Sequence, residues 1–153
     1  AAHRASEAGG SVEEVIEAAE RARDAVRSFV IVDTLDYLKR GGRLTGAQAL
    51  VGNVLRVKPI LGIVDGRVEV LERTRTWSRA IDRVAALVAE AAAGGPVRVA
   101  VSHALAAERA EKVWAALEED VWLYERSDSV IGPIVGTHTG PGTVAEAALP
   151  ADR

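Results

Sequence analysis

The stretch that most constrains this chain is Lys58-Pro59-Ile60-Leu61-Gly62-Ile63-Val64, then Asp65-Gly66, then Arg67 to Arg73. Asp-Gly tolerates the positive φ that a type I′ turn demands at its two central positions, so the spacing predicts a β-hairpin with a two-residue turn. Helical and strand-like patterns alternate on either side of it. That alternation indicates an α/β layer structure, a mixed sheet flanked by helices.

Residues 1–8 read as the tail of a helix already in progress, ended by Gly9-Gly10. Ser11-Val12-Glu13-Glu14 then opens a helix over about 11–27 with a capping-box arrangement. Its apolar residues Val12, Val15, Ile16, Ala19, Ala22 and Val26 recur at helical spacing, so one side is expected to cover a sheet, with Glu17 and Arg21 paired on the wet face. Phe29 to Val32 is a short β-branched and aromatic run suited to a buried strand, leading into Asp33-Thr34, where a helix can be capped. Leu35 to Arg40 carries one or two helical turns before Gly41-Gly42, and Leu44 to Leu55 resumes helix with Thr45 as its cap.

Beyond the hairpin, Trp77, Ile81, Val84, Leu87 and Val88 mark one face of a helix from 77 to 92, stopped by Gly94-Gly95-Pro96. A strand is predicted at Val97 to Val101, then a helix over 104–119 with Val113, Trp114 and Leu117 inward, then a strand at Val121 to Tyr124. From Ser127-Asp128-Ser129 to Gly142 the chain turns Gly- and Pro-rich and reads as irregular, with Thr143 to Leu149 closing the sheet. The whole of 1–153 is read as one domain, and the absence of methionine marks it as a fragment of something longer.

Composition narrows the function classes. With 19 basic and 22 acidic side chains, no global field draws in nucleic acid or more than transient contact with a membrane surface, so any anion site must be local. The chain has no cysteine, which removes disulfides, thiolate catalysis and cysteine zinc sites and fits a reducing cytoplasm. Three histidines leave little material for a metal cluster, and no apolar run reaches the ~18 residues of a spanning helix. No metal and no cofactor are expected.

Local chemistry concentrates in Gly136-Thr137-His138-Thr139-Gly140-Pro141-Gly142. The imidazole N–H of His138 can donate to a carboxylate, Thr137 and Thr139 add hydroxyls, and Gly140 and its neighbours let backbone amides approach the same oxygen, as in an anion nest. Arg43 follows Gly41-Gly42, where a turn can present its guanidinium to an anion or acidic partner. Lys58, at a strand start before proline, reads as a cap or salt-bridge residue. His103 stands at the carboxyl end of a predicted strand, the side where α/β sheets usually bind ligands, yet a capping or exposed histidine is the favoured reading.

Two segments carry a family resemblance. Val32-Asp33-Thr34-Leu35-Asp36-Tyr37-Leu38-Lys39-Arg40-Gly41-Gly42-Arg43-Leu44, continuing into Val57-Lys58-Pro59-Ile60-Leu61, resembles the strand, short helix, Gly-Gly-Arg turn and Lys-Pro-Ile-Leu order of DegV-family proteins. Ile131-Gly132-Pro133-Ile134-Val135-Gly136-Thr137-His138-Thr139-Gly140-Pro141-Gly142 is similar to that family's C-terminal signature, with Arg73-Thr74-Arg75 between the two. The resemblance implies a two-domain protein that encloses one long-chain fatty acid as ligand, acyl chain in an apolar tunnel and carboxylate near the mouth, and hands it to a fatty acid kinase. It implies that His138 meets the carboxylate together with hydroxyls of an N-terminal domain that has no counterpart in this chain. It also places Arg43, and after it Arg75, at the tunnel mouth or the partner-facing surface. Leu50, Val54, Leu55, Ile60, Leu61 and Ile134 are candidate tunnel residues, although apolarity alone cannot separate tunnel from core.

Other classes stay open on the sequence. A hydrolase would use His138 as base with Ser102, Ser129 or Asp128, but no Gly-x-Ser-x-Gly elbow is present, and neither is a P-loop. A carrier without catalysis is therefore expected. A structural module is the remaining alternative, in which apolar surface left by the missing half drives homo-oligomerisation.

Overall fold

In the computed structural model, residues 1–43 and 57–151 are described. The hairpin forms as read: β2 (Lys58–Val64) and β3 (Arg67–Thr74) pair antiparallel, with Asp65 at φ 49° and Gly66 at φ 74° making the turn. A bulge follows Ile60, and the Leu71 side chain lies where a Cβ on Gly62 would sit.

Around the hairpin the order along the chain is α1 (Ala2–Glu7), α2 (Val12–Ala25), β1 (Arg27–Ile31) and α3 (Asp36–Arg40) before it. After it come α4 (Trp77–Ala92), β4 (Val97–His103), α5 (Ala107–Asp120), β5 (Leu123–Val130), α6 (Pro133–Thr139) and β6 (Val144–Pro150). The six strands form one mixed sheet in the order β3-β2-β1-β6-β4-β5. Only β4 and β5, joined through α5, run parallel; the other neighbours are antiparallel. The last strand to be made therefore sits in the middle, between β1 and β4.

One face of this sheet carries the main core. Phe29, Ile31, Ile60, Val99, Val101, Val144 and Ala148 meet Ile81, Val84 and Val88 of α4 and Val113, Trp114 and Leu117 of α5. Ile31, Ile60 and Leu117 are fully shut from water, and each such side chain contributes roughly 1.5–3 kcal/mol relative to exposure. Helix α4 is started by Thr76, whose hydroxyl accepts from the Arg79 amide, and ended by Ala93 and Gly94 in the left-handed region. A second, smaller cluster on Val32, Leu38 and Leu61, with Val30, Leu35, Val68 and Val70 packed against it half-buried, lies beneath α3.

Four expectations change. Helix α2 has the capping box of Ser11 and Glu14 and the Glu17–Arg21 pair, but buries no residue: Val12 and Ile16 are 70% and 53% exposed. Its small residues Ala18, Ala22 and Ala25, with Val15, take the half-buried side instead. Thr34 accepts from the Asp36 amide, whereas Asp33 caps nothing. The strand expected at Val121 to Tyr124 begins later and runs through Ser127-Asp128-Ser129 to Val130, because an edge strand exposed on both faces needs no apolar alternation. Residues 133–139 are helix, not loop: Pro133 opens α6 at a position whose amide a helix leaves unpaired anyway. The helix expected at Leu44 to Leu55, with Leu50, Val54 and Leu55, lies outside the described residues.

Candidate functional site

Side chains from the two motif segments meet at three glycines. A Cβ on Gly41 would run into the His138 imidazole, one on Gly140 into the Tyr37 ring, and one on Gly142 into Asp33 and Arg109. Helix α3 with its Gly-Gly-Arg turn is thus fitted against α6 and the loop after it, each glycine giving way to a side chain of another segment. Gly140 and Gly142 also hold φ of 82° and 85°, which an L side chain adopts only with strain.

Asp33 anchors this junction. Its Oδ1 accepts from Lys58 Nζ at 2.6 Å and Trp77 Nε1 at 2.9 Å, and its Oδ2 from Arg109 Nη1 at 2.8 Å. Arg109 Nη1 also donates to the Gly142 carbonyl at 2.8 Å, and its guanidinium stacks on the Trp77 ring, 4.0 Å from the centroid. Burial alone would push the Asp33 carboxyl up; the hydrogen bonds from Lys58, Arg109 and Trp77 outweigh it and hold the group down at about 2. Asp33 is thus a bridging carboxylate rather than the expected cap, Trp77 of the expected helix face also donates a hydrogen bond, and Arg109 joins them without any motif to mark it. The available signal was an acid directly after a buried apolar strand, a place where a carboxylate needs partners.

His138 is treated differently. It is half-buried in the last turn of α6, and its Nδ1 is shut from water against Gly41 with no partner among the described residues. With no acceptor for a proton on Nδ1, the neutral imidazole is best carried with its N–H on Nε2. The surrounding donors are committed. Thr137 Oγ1 donates to the Pro133 carbonyl at 2.7 Å and Thr139 Oγ1 to that of Val135 at 3.4 Å. The Gly140 amide donates to Gly136 O and the Gly142 amide to Ala104 O, so these two amides do not form the expected nest. Thr143, fully buried, donates to the carbonyls of Thr139 and Gly140 and fixes the end of α6 to the start of β6.

The remaining candidates fall apart in space. Arg43 is exposed and folds back to donate to Gly41 O at 2.7 Å, so it stands within two residues of the His138 contact. Arg75 is exposed just beyond the hairpin. Lys58 is the salt-bridge residue expected, and His103 is a cap, its Nδ1 accepting from the Ala106 amide at 3.2 Å. His103 and Arg109 also line an open cavity of about 610 Å³ at the end of β4. Ser102 and Ser129 share a hydrogen bond of 2.6 Å, and Asp128 accepts from Trp114 and Arg126, so none of the three is hydrogen-bonded to His138. Ile60 belongs to the main core, Leu61 to the smaller cluster, and Ile134 is 85% exposed and lines nothing among the described residues. Among those residues no helix is long and apolar enough to cross a membrane, and no His, Asp and Glu cluster could hold a metal.

A family model described as uncharacterised protein, DegV family, matches residues 1–151. The chain belongs to the DegV family. A DegV domain-containing protein of Streptomyces coelicolor is 46% identical over 143 residues, 93% of this chain and 51% of that protein. Among solved structures, Bacillus subtilis DegV, described as a fatty acid binding protein, is 36% identical and superposes with a TM-score of 0.82, over 98% of this chain and 54% of its own. A Thermus thermophilus DegV-family protein, described by its fatty acid binding, is 31% identical with a TM-score of 0.91, over 98% and 54%. The chain thus spans about half the length of the DegV relatives it matches.

Proposed function

We propose that this chain is the C-terminal half of a DegV protein that binds a long-chain fatty acid, and that His138 Nε2 donates to the lipid carboxylate. The observation that carries the reading is the imidazole itself. Asp33, Lys58, Trp77, Arg109, Thr137 and Thr139 are each hydrogen-bonded, whereas this imidazole packs on Gly41 with no partner for Nδ1 among the described residues. Thr137, Thr139 and Gly140 support it by closing the end of α6, and Arg43 stands at the rim. The half-buried Val30, Leu35, Val68 and Val70 under α3 offer an apolar surface for the acyl chain. Fatty acid binding is what the described Bacillus subtilis and Thermus thermophilus relatives do.

The protein carries rather than converts its ligand, since the serines and Asp128 are engaged away from His138. The carboxylate's other ligands come from an N-terminal half, and Arg43 and Arg75 face a protein partner that consumes the lipid, such as a fatty acid kinase. The setting is cytoplasmic. Native mass spectrometry with lipid extraction, on the chain alone and on a DegV-length protein containing it, tests this. The reading expects a fatty acid to co-purify with the longer protein, weakly or not at all with the chain alone, and to be lost on His138→Ala. Equal lipid occupancy in that variant would remove His138 from the site.

A further inference from the structure

Glu146 stands at the centre of the sheet, opposite Phe29 on β1 and Val101 on β4, on the face that carries the main core. Both carboxyl oxygens are shut from water, and neither has a hydrogen-bond partner among the described residues. Its neighbours on β6, Val144 and Ala148, are apolar and buried. The faces of α4 and α5 turned toward the sheet are apolar as well. The nearest ionisable groups on the adjoining strands are occupied: Arg27 donates to the carbonyls of Asp24 and Val26, and His103 caps Ala106. On the helices, Arg83 pairs with Glu72 and Glu90 and Arg109 with Asp33. The other charged residues of α4 and α5, Arg79 and Asp82 among them, are exposed on the outer sides.

We propose that Glu146 is an alkaline trigger built into the core: it is buried uncharged, and its ionisation loosens β6 and the signature helix attached to it. An unpaired carboxylate cannot be sustained in such surroundings, so the group stays protonated until the cost of keeping its proton exceeds the cost of admitting water. Burial pushes the Glu146 carboxyl up to about 8 from an ordinary 4.5. The consequence has a definite sign. A raised acid contributes stability that is whole below pH 4.5 and is lost as pH rises toward 8, because the unfolded chain has already released the proton that the folded one keeps. Loosening β6 reaches the site through Thr143, which precedes it and holds the carbonyls at the end of α6.

The test needs no lipid, so its failure says nothing about fatty acid binding. Unfolding of the ligand-free protein is followed by denaturant from pH 5 to 9 for wild type, Glu146→Leu and Glu146→Gln. In the wild type the folding constant is expected to fall by several hundredfold, on the order of 10²–10³, relative to either variant across that range. Hydrogen exchange of the β6 amides above pH 8 should be faster in wild type than in Glu146→Gln at the same pH. A ¹³C-labelled Glu146 carboxyl should hold its protonated position at pH 6 and move only above pH 7. Parallel pH profiles in all three proteins, or a carboxyl already ionised at pH 6, would overturn the proposal. Should Glu146→Leu fail to fold, the isosteric Gln variant and the carboxyl resonance still decide it.

Discussion

Two of the contacts that join the motif segments are built in opposite ways. At the Asp33 junction each group has a partner: one carboxylate takes two cations and an indole, and Arg109 ties it to the Gly142 carbonyl. At the Gly41–His138 contact the packing is just as close, but Nδ1 is buried without a bond and Nε2 has none among the described residues. A saturated junction can do nothing more than hold its parts together. On the proposed reading, the imidazole packed through Nδ1 onto Gly41 has Nε2 left to donate to a ligand. The two were separable only in three dimensions, although each draws on both motif segments.

Breaking the saturated side should cost the fold most. Asp33→Ala leaves Lys58 and Arg109 facing each other without a counter-charge and strands the Trp77 N–H. Denaturant unfolding is expected to show a loss of roughly 2–3 kcal/mol, below the full cost for a buried pair because the three side chains are partly exposed to water. Gly140→Ala comes next, at about 1–2 kcal/mol by the same measurement, since a methyl must displace the Tyr37 ring at a strained φ. Acid should expose the junction more gently. With Asp33 held near 2 against an ordinary 3.8, its contribution is whole above pH 3.8 and disappears as pH falls through 2. Screening at a partly exposed site limits this to about 1 kcal/mol, seen as an acid-side difference between wild type and Asp33→Asn. Gly41→Ala sharpens the contrast from the other side. Its Cβ shifts His138, so stability should change by less than about 1 kcal/mol while fatty acid retention, read by native mass spectrometry, falls.

Much of this fold could be read ahead because its signals are local. The Asp65-Gly66 hairpin, the apolar faces of α4 and α5, and the start of α2 at Ser11 each depend on residues a few positions apart. The errors share a cause as well. Helix α6 contains Gly136 and two β-branched threonines, and its one legible cue was Gly132-Pro133 at the start; the packing of Gly140 against Tyr37 of α3 and of His138 against Gly41 accompanies it. Strand β5 carries Ser127-Asp128-Ser129, a turn composition, yet pairing with β4 holds it extended. For the site, His138 and Arg43 stood out through motif chemistry. Asp33 and Arg109 did not, because their bond spans 76 positions and no pattern in the chain announces it. The expected roles of Thr137, Thr139 and Gly140 as direct donors weaken for a related reason: once the segment is helical, their hydroxyls and amide are absorbed by carbonyls a turn earlier.

The central claim is that His138 recognises a carboxylate rather than merely packing α6 onto α3. Competition between a long-chain fatty acid and the alcohol of the same chain length, in a DegV-length protein carrying this sequence, separates the two, because the alcohol keeps the acyl contacts and removes the charge. One hydrogen bond to a charged group is worth roughly 1.5–3 kcal/mol, so wild type should prefer the acid by about 10- to 150-fold over what His138→Ala retains. A variant that folds normally and keeps the full wild-type preference for the acid would contradict the account.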